Sequence, residues 1–231
     1  VDGRVGRFLK DDVTKGEIGF LDDQAYTANA ALDLHEATHD PRYVAVARAI
    51  VDKMIEHHWD LAEGGFFFTP GDGERLIART KDAFDHAVPS GLSIAALACV
   101  RLGELADEKY REPGEAQAKR LAAAAIDNPL AFGQLACLVD RLIRGTVDVV
   151  IVGPAAGAAA RALTSVAFKA YLPNRNIVVI DPASPGSASA VPLLAEGKPA
   201  RAGETVAYVC RDRACSAPVT TPEELAALLA R

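Results

Sequence analysis

From Leu21 to Arg144 the apolar residues recur at helical spacing. Leu21, Ala25, Ala28 and Leu32 fall at i, i+4, i+7 and i+11, one stripe of a helix that would bury a single face. Asp40-Pro41 reads as the start of a second helix, a capping carboxylate followed by proline in the first turn. That helix carries Tyr43, Ala47, Ile50 and Met54 on one face, and it should stop near Trp59-Asp60, ahead of Gly64-Gly65. "GGFFFTPGDGERLIART" then predicts a hairpin, with Phe66–Thr69 and Arg75–Thr80 as its arms around a Pro-Gly-Asp-Gly turn. The stretch Leu92–Leu105 is apolar nearly all round, which predicts a helix buried on several sides. Two more helical segments follow, about Ala116–Ala125 and Leu130–Ile143.

The pattern changes after Gly145. "TVDVVIVG" and "NRNIVVIDP" are short β-branched runs with a helical stretch between them, so a strand–helix–strand crossover with parallel strands is expected. "ETVAYVC" is a third strand candidate. The chain closes on "TTPEELAALLA", where Thr221, Pro222 and Glu224 spell a capping box. The expected organisation is therefore helical over 1–145, with a small α/β segment over 146–231.

Composition narrows the function classes. Half the residues are apolar and 24% are charged, so the chain folds rather than staying disordered. A net charge of −6 argues against a nucleic-acid or anionic-membrane surface, each of which calls for a basic face. No apolar run has the length of a membrane span, and the opening VDGRVGRFLKDD lacks the apolar stretch of a signal peptide. A cytoplasmic protein is expected. The first residue is not Met, which suggests a cut from something longer.

Candidate chemistry gathers in two places. Asp22 and Asp23 open the first helix, and two readings of the pair compete. As a cap, each carboxylate contributes about 0.3–1 kcal/mol against the helix dipole. As the mouth of a site, Asp22 heads a polar stripe with Tyr26, Asn29 and Asp33 that turns away from the apolar one. "KDAFDHAVPS" brings Lys81, Asp82, Asp85 and His86 into one loop before a helix. Such a loop is most often solvated, yet Asp beside His can orient an imidazole for acid–base work. Ser90 reads as the cap of the next helix, because no nucleophile elbow surrounds it. Trp59 and Phe66–Phe68 are either hairpin core or a platform for a sugar ring.

The histidines and cysteines say less. His57 and His58 are adjacent and point about 100° apart on a helix, and His35 with His39 lacks the glutamate of a zinc motif; no metal and no cofactor are expected. Cys99 and Cys137 read as small core residues. Cys210 and Cys215 flank a turn at a strand end, where a redox couple, a facultative disulfide and two reduced thiols all remain open. "GPAAGAAA" after the first strand lacks the pattern of a phosphate cradle, and a tight strand-to-helix turn accounts for it.

A longer series of motifs is more specific. "GFLDDQAY", "GGFFFT", "KDAFDHAVPSGLS", "YLPNRNIVVI" and "AYVCRDRACSAPVT" occur in this order. The series resembles the C-terminal part of the thioredoxin-domain-containing family typified by spermatogenesis-associated thioredoxin-like proteins, and it spans essentially the whole chain. The resemblance implies a mainly α fold with helical hairpins forming part of an (α/α)6 toroid, like that of N-acylglucosamine 2-epimerases and six-hairpin glycosidases. A small C-terminal α/β segment would pack on it. It implies a sugar pocket with Asp23, Asp85 and His86 as catalytic candidates and with Asp22, Tyr26, Trp59, Phe67 and Lys81 binding substrate. Asp23 is the expected functional member of the pair and Asp22 the cap. The implied partners are a small sugar and, in longer relatives, a thioredoxin-like domain; this chain has no Cys-x-x-Cys. The sequence departs from the family pattern at His86, where glycine is usual, at Leu92, where asparagine is usual, and at Gln24, where tyrosine usually follows the acidic pair.

Overall fold

The computed structural model describes residues 2–8, 19–201 and 203–230. The chain divides into two compact units, Val1–Asp33 with Arg42–Val139, and Leu34–Pro41 with Asp140–Arg231. The described residues are mainly helical, with a small α/β segment at the C-terminal end. None of their helices is long and apolar enough to cross a membrane.

The first five helices are α1 (Leu21–Thr38), α2 (Pro41–His58), α3 (Gly91–Leu105), α4 (Arg111–Asp127) and α5 (Gly133–Arg144). Short 3₁₀ turns at Glu108–Tyr110 and Pro129–Ala131 precede α4 and α5. The apolar stripe of α1 is buried as its spacing dictates, with Leu21, Ala25, Ala28 and Leu32 all inaccessible. On α2 the buried face is Val44, Ala47, Ile50, Val51 and Met54, with Tyr43 only half-buried.

The centre of the first unit is α3. Its alanines, Cys99, Val100 and Leu102 are closed off from water on every side. A helix with such small side chains lets its neighbour come close, and α4 does. A Cβ on Gly114 would lie 2.6 Å from the Ala96 carbonyl oxygen and 2.7 Å from Val100 Cγ2. Ser90 caps α3: the Ser93 N–H donates to its Oγ at 3.2 Å. Cys99 is a core residue as expected, whereas Cys137 on α5 is exposed.

The hairpin expected over Phe66–Thr80 does not form a ladder. Trp59 and Phe66 make one isolated antiparallel bridge, and a Phe68 N–H bond to the Thr80 carbonyl at 2.8 Å joins the two arms. The reason is chemical. The Arg79 guanidinium takes the Thr69 carbonyl that a partner strand would have used, and it also bonds back to the His57 carbonyl at the end of α2. Leu76 and Ile77 face water, so the second arm has no apolar face to hold it flat.

The second unit contains β1 (Val147–Val152), α6 (Ala158–Lys169), β2 (Arg175–Ile180), α7 (Pro185–Ala190), α8 (Pro192–Ala195), β3 (Val206–Arg211), β4 (Ala214–Cys215) and α9 (Pro222–Leu229). The sheet order is β2-β1-β3-β4. β1 and β2 pair in parallel across the α6 crossover, and β3 runs antiparallel to β1. Val149, Ile151, Ile177, Val179, Ala207 and Val209 line one sheet face and pack on Leu163 and Ala167 of α6 and Leu225 of α9. The Thr221–Glu224 capping box starts α9.

Candidate functional site

At the head of α1 the two aspartates divide the work between them. The Phe20 N–H donates to Asp23 Oδ2 at 2.8 Å, the backward reach of a third-position carboxylate that closes a helix N-terminus. Arg7 Nη1 also pairs with Asp23, at 3.2 Å to Oδ2, and its guanidinium lies over the Phe20 ring. Asp23 is thus the cap, the reverse of the assignment expected within the pair.

Asp22 stands differently. Its carboxylate lies over the first residue of α3: a Cβ on Gly91 would fall 1.8 Å from Asp22 Oδ1. Glycine is therefore required at 91 for this approach. Burial, then the carboxylates of Asp23 and Asp82, push Asp22 above the ordinary carboxylate range, and Arg7 offsets part of this.

Tyr26, one turn on, donates its hydroxyl to the Pro89 carbonyl at 2.8 Å, and burial together with the Asp22 and Asp85 charges raises its phenol. Further along, Arg101 of α3 donates to Asn29 Oδ1 at 2.7 Å and to Asp33 Oδ1 at 2.6 Å. The whole polar stripe of α1 therefore faces α3 or the loop that leads into it.

Asp85 is held in a fixed position. Its Oδ1 accepts the Ser90 N–H and its Oδ2 the Gln134 N–H, both at 2.8 Å, so one carboxylate ties the starts of α3 and α5 together. His86 is exposed, with Nε2 3.9 Å from Asp82 Oδ1. Asp85 is the neighbour expected to orient this ring, but its carboxylate is turned toward the two helix starts instead.

Trp59, Phe67 and Lys81 form a second group. Trp59 meets Phe66 edge to face, with centroids 4.9 Å apart. Arg79 and Lys81 both stand over the Phe67 ring, at 4.1 and 4.7 Å. Lys81 Nζ donates to Asp60 Oδ2 at 2.6 Å and to the Gly64 carbonyl at 2.8 Å, and this bond to Lys81 is the main reason Asp60 is lowered to about 2. The Phe67 carbonyl accepts from buried His58, whose Nδ1 lies 3.0 Å away, so Nδ1 carries the proton of a neutral ring. Burial holds His58 down to about 4.

Two participants carried no signal in the sequence: Gly91 matters for what it lacks, and Arg7 reaches Asp23 across 16 positions. Asp82, a member of the candidate loop, acts through its charge on Asp22. Gln24 also gains a role: it is buried, donates to the Val5 carbonyl at 2.8 Å and accepts the Val5 N–H at 3.2 Å.

In the second unit, Cys210 and Cys215 are joined as a disulfide. In the turn after β1 the Ala155 N–H donates to Asp181 Oδ2 at 2.9 Å. His35 Nδ1 lies 3.1 Å from the Asp40 carbonyl oxygen, and burial lowers His39 to about 4. Among the described residues no three His, Cys, Asp or Glu side chains gather as metal ligands.

No protein-family model matches the chain. It is 28% identical over 215 residues to spermatogenesis-associated protein 20 of Homo sapiens, an alignment that covers 91% of this chain and 27% of that protein. The Rattus norvegicus and Mus musculus proteins of the same name are 28% and 27% identical over the same shares. The chain is homologous to these proteins and spans about a quarter of their length.

Proposed function

We propose that residues 1–145 form part of a six-hairpin helical toroid, resembling those of N-acylglucosamine 2-epimerases and six-hairpin glycosidases, and that this toroid binds or processes a small sugar in the cytoplasm. Residues 146–231 are its α/β companion. One observation carries the reading: the two acidic clusters meet at the start of α1, where Asp82 bears on the Asp22 carboxyl and Asp85 together with Asp22 bears on Tyr26, whose hydroxyl donates to the Pro89 carbonyl. A carboxyl raised by burial and by like charges is the candidate for the proton-transfer role in such a pocket. Sugar hydroxyls call for such acceptors, with an aromatic ring beside them.

In this proposal Asp22 moves from substrate binding to the acid–base role. Asp23 and Asp85 become positioning residues, because their oxygens already serve backbone N–H groups. His86 and Asp82 form the exposed rim. The test is a sugar-library screen by saturation-transfer NMR on this chain. A sugar that binds the parent and Asp23→Asn proteins but not Asp22→Asn supports the assignment. No sugar binding at all, or binding that survives Asp22→Asn, overturns it.

A second reading, a non-catalytic module that partners a thioredoxin-like domain, is favoured by exposed Leu76, Ile77, Phe84 and Val88 along one stretch of chain. Binding of such a domain in trans, abolished by Ile77→Asp with no sugar bound, would select it.

A further inference from the structure

We infer that the Cys210–Cys215 pair is a thiol–disulfide exchange site whose substrate is a small dithiol or a dithiol protein, attacked at the Cys215 sulfur. The two cysteines are directly opposite residues of the β3–β4 hairpin, with Arg211 and Ala214 closing the turn. The Ser216 N–H donates to the Val209 carbonyl at 2.9 Å on one side of them. The cysteines therefore occupy the pair without mutual backbone bonds, the position where opposing Cα atoms come nearest; here they are 3.9 Å apart.

Access is one-sided. Cys210 is 3% exposed on β3, inside the sheet, whereas Cys215 is exposed on β4, its edge strand. Cys215 is thus the residue on the solvent side of the pair, which directs an incoming thiolate to it rather than to Cys210.

The turn supplies the second argument. Asp212 and Arg213 both take the left-handed region, with φ of 49° and 64°. A two-residue hairpin of this type favours Asn-Gly, and an arginine there is uncommon. β4 is only two residues long, and past it Ser216 and Val219 keep the chain bonded to Val209 and Ala207 of β3, so the disulfide braces the unfavourable turn itself. Opening the bond lets the turn relax while the Ser216 and Val219 bonds hold the flanking chain on β3, so reduction does not require the sheet to come apart.

The step balances in two exchanges. A thiolate of the dithiol attacks Cys215 Sγ, the Cys210–Cys215 bond breaks, and Cys210 leaves as a thiolate that takes a proton from solvent. The second thiol of the reductant then attacks the mixed disulfide and releases Cys215. The protein disulfide is reduced to two thiols, and the dithiol is oxidised to its disulfide.

The test uses the folded chain carrying Cys137→Ser, which removes the exposed free thiol and leaves buried Cys99 as an internal reference. The protein is incubated with millimolar dithiothreitol, trapped with iodoacetamide and read by mass spectrometry. Cys210 and Cys215 should gain label together while Cys99 gains none. Under oxidised glutathione, Cys210→Ser should carry one glutathione on Cys215, and Cys215→Ser should carry none on Cys210. Circular dichroism establishes that each variant is folded, and the dithiothreitol experiment needs neither cysteine variant. A bond that opens only in denaturant, when Cys99 is labelled too, overturns the inference; equal glutathionylation of the two single variants overturns the assignment of attack to Cys215.

Discussion

Asp22 and Asp23 are chemically identical neighbours with opposite surroundings, and charge removal should separate them. Asp23→Asn keeps one acceptor oxygen for the Phe20 N–H and loses the pairing with Arg7, so thermal unfolding should show a cost of at most about 1 kcal/mol. Asp22→Asn should cost nothing at neutral pH. A folded-state pKa raised above the unfolded value means the ionised group opposes folding, a penalty absent in acid that grows as pH rises through the carboxylate range. The asparagine variant should therefore equal or exceed the parent in stability above that range and gain nothing below it. Asp85→Ala is the contrasting case. It leaves the Ser90 and Gln134 N–H groups without their acceptor, and chemical denaturation should show a loss of roughly 1–3 kcal/mol. His58 gives a separate pH signature. Its pKa is lowered to about 4 by burial, below the ordinary histidine value, so the unfolded chain binds the extra proton. The stability it contributes is complete above about pH 6.5 and is lost as pH falls toward 4, which a pH series of denaturant midpoints on parent and His58→Phe proteins would read.

At the scale of elements, the outcome followed how local each determinant is. The helices were legible because a period of 3.6 and a cap are local properties: the α1 stripe, the Ser90 cap and the Thr221 box all appear where their residues stand. The α1 polar stripe was legible as a stripe but not in its destination, because α3 lies about 70 positions away; Arg101 meets Asn29 across 72. The roles within the acidic pair were not legible, since Gly91 is what admits the Asp22 carboxylate and a glycine shows no side chain to the reader. The failed hairpin has the same cause: Arg79 bonds to carbonyls at Thr69 and His57, and no pattern of strand residues encodes that. The α3–α4 contact gives a direct test. Gly114→Ala places a methyl against the Ala96 carbonyl, so the gain in helix propensity is overridden and calorimetry should show a net loss of about 1–3 kcal/mol.

At the scale of the whole molecule, the two units should answer reduction differently. Closing a loop of this length stabilises a fold by about 2 kcal/mol in the chain-entropy account. Opening Cys210–Cys215 should therefore speed amide hydrogen exchange across 206–216 and leave α3, in the other unit, as protected as before. Uniform acceleration through both units would mean that they unfold as one. The division into units also bears on how the chain is made. Leu34–Pro41 belongs with Asp140–Arg231, and Glu36 finds Arg175 Nε, 2.8 Å from its Oε1, only across 139 positions. On a ribosome adding roughly 5–20 residues per second, that segment emerges many seconds before its partners exist. No single cut of the chain isolates either unit intact, and an early-terminated product ends with the close of α1 still waiting for strands that were never translated.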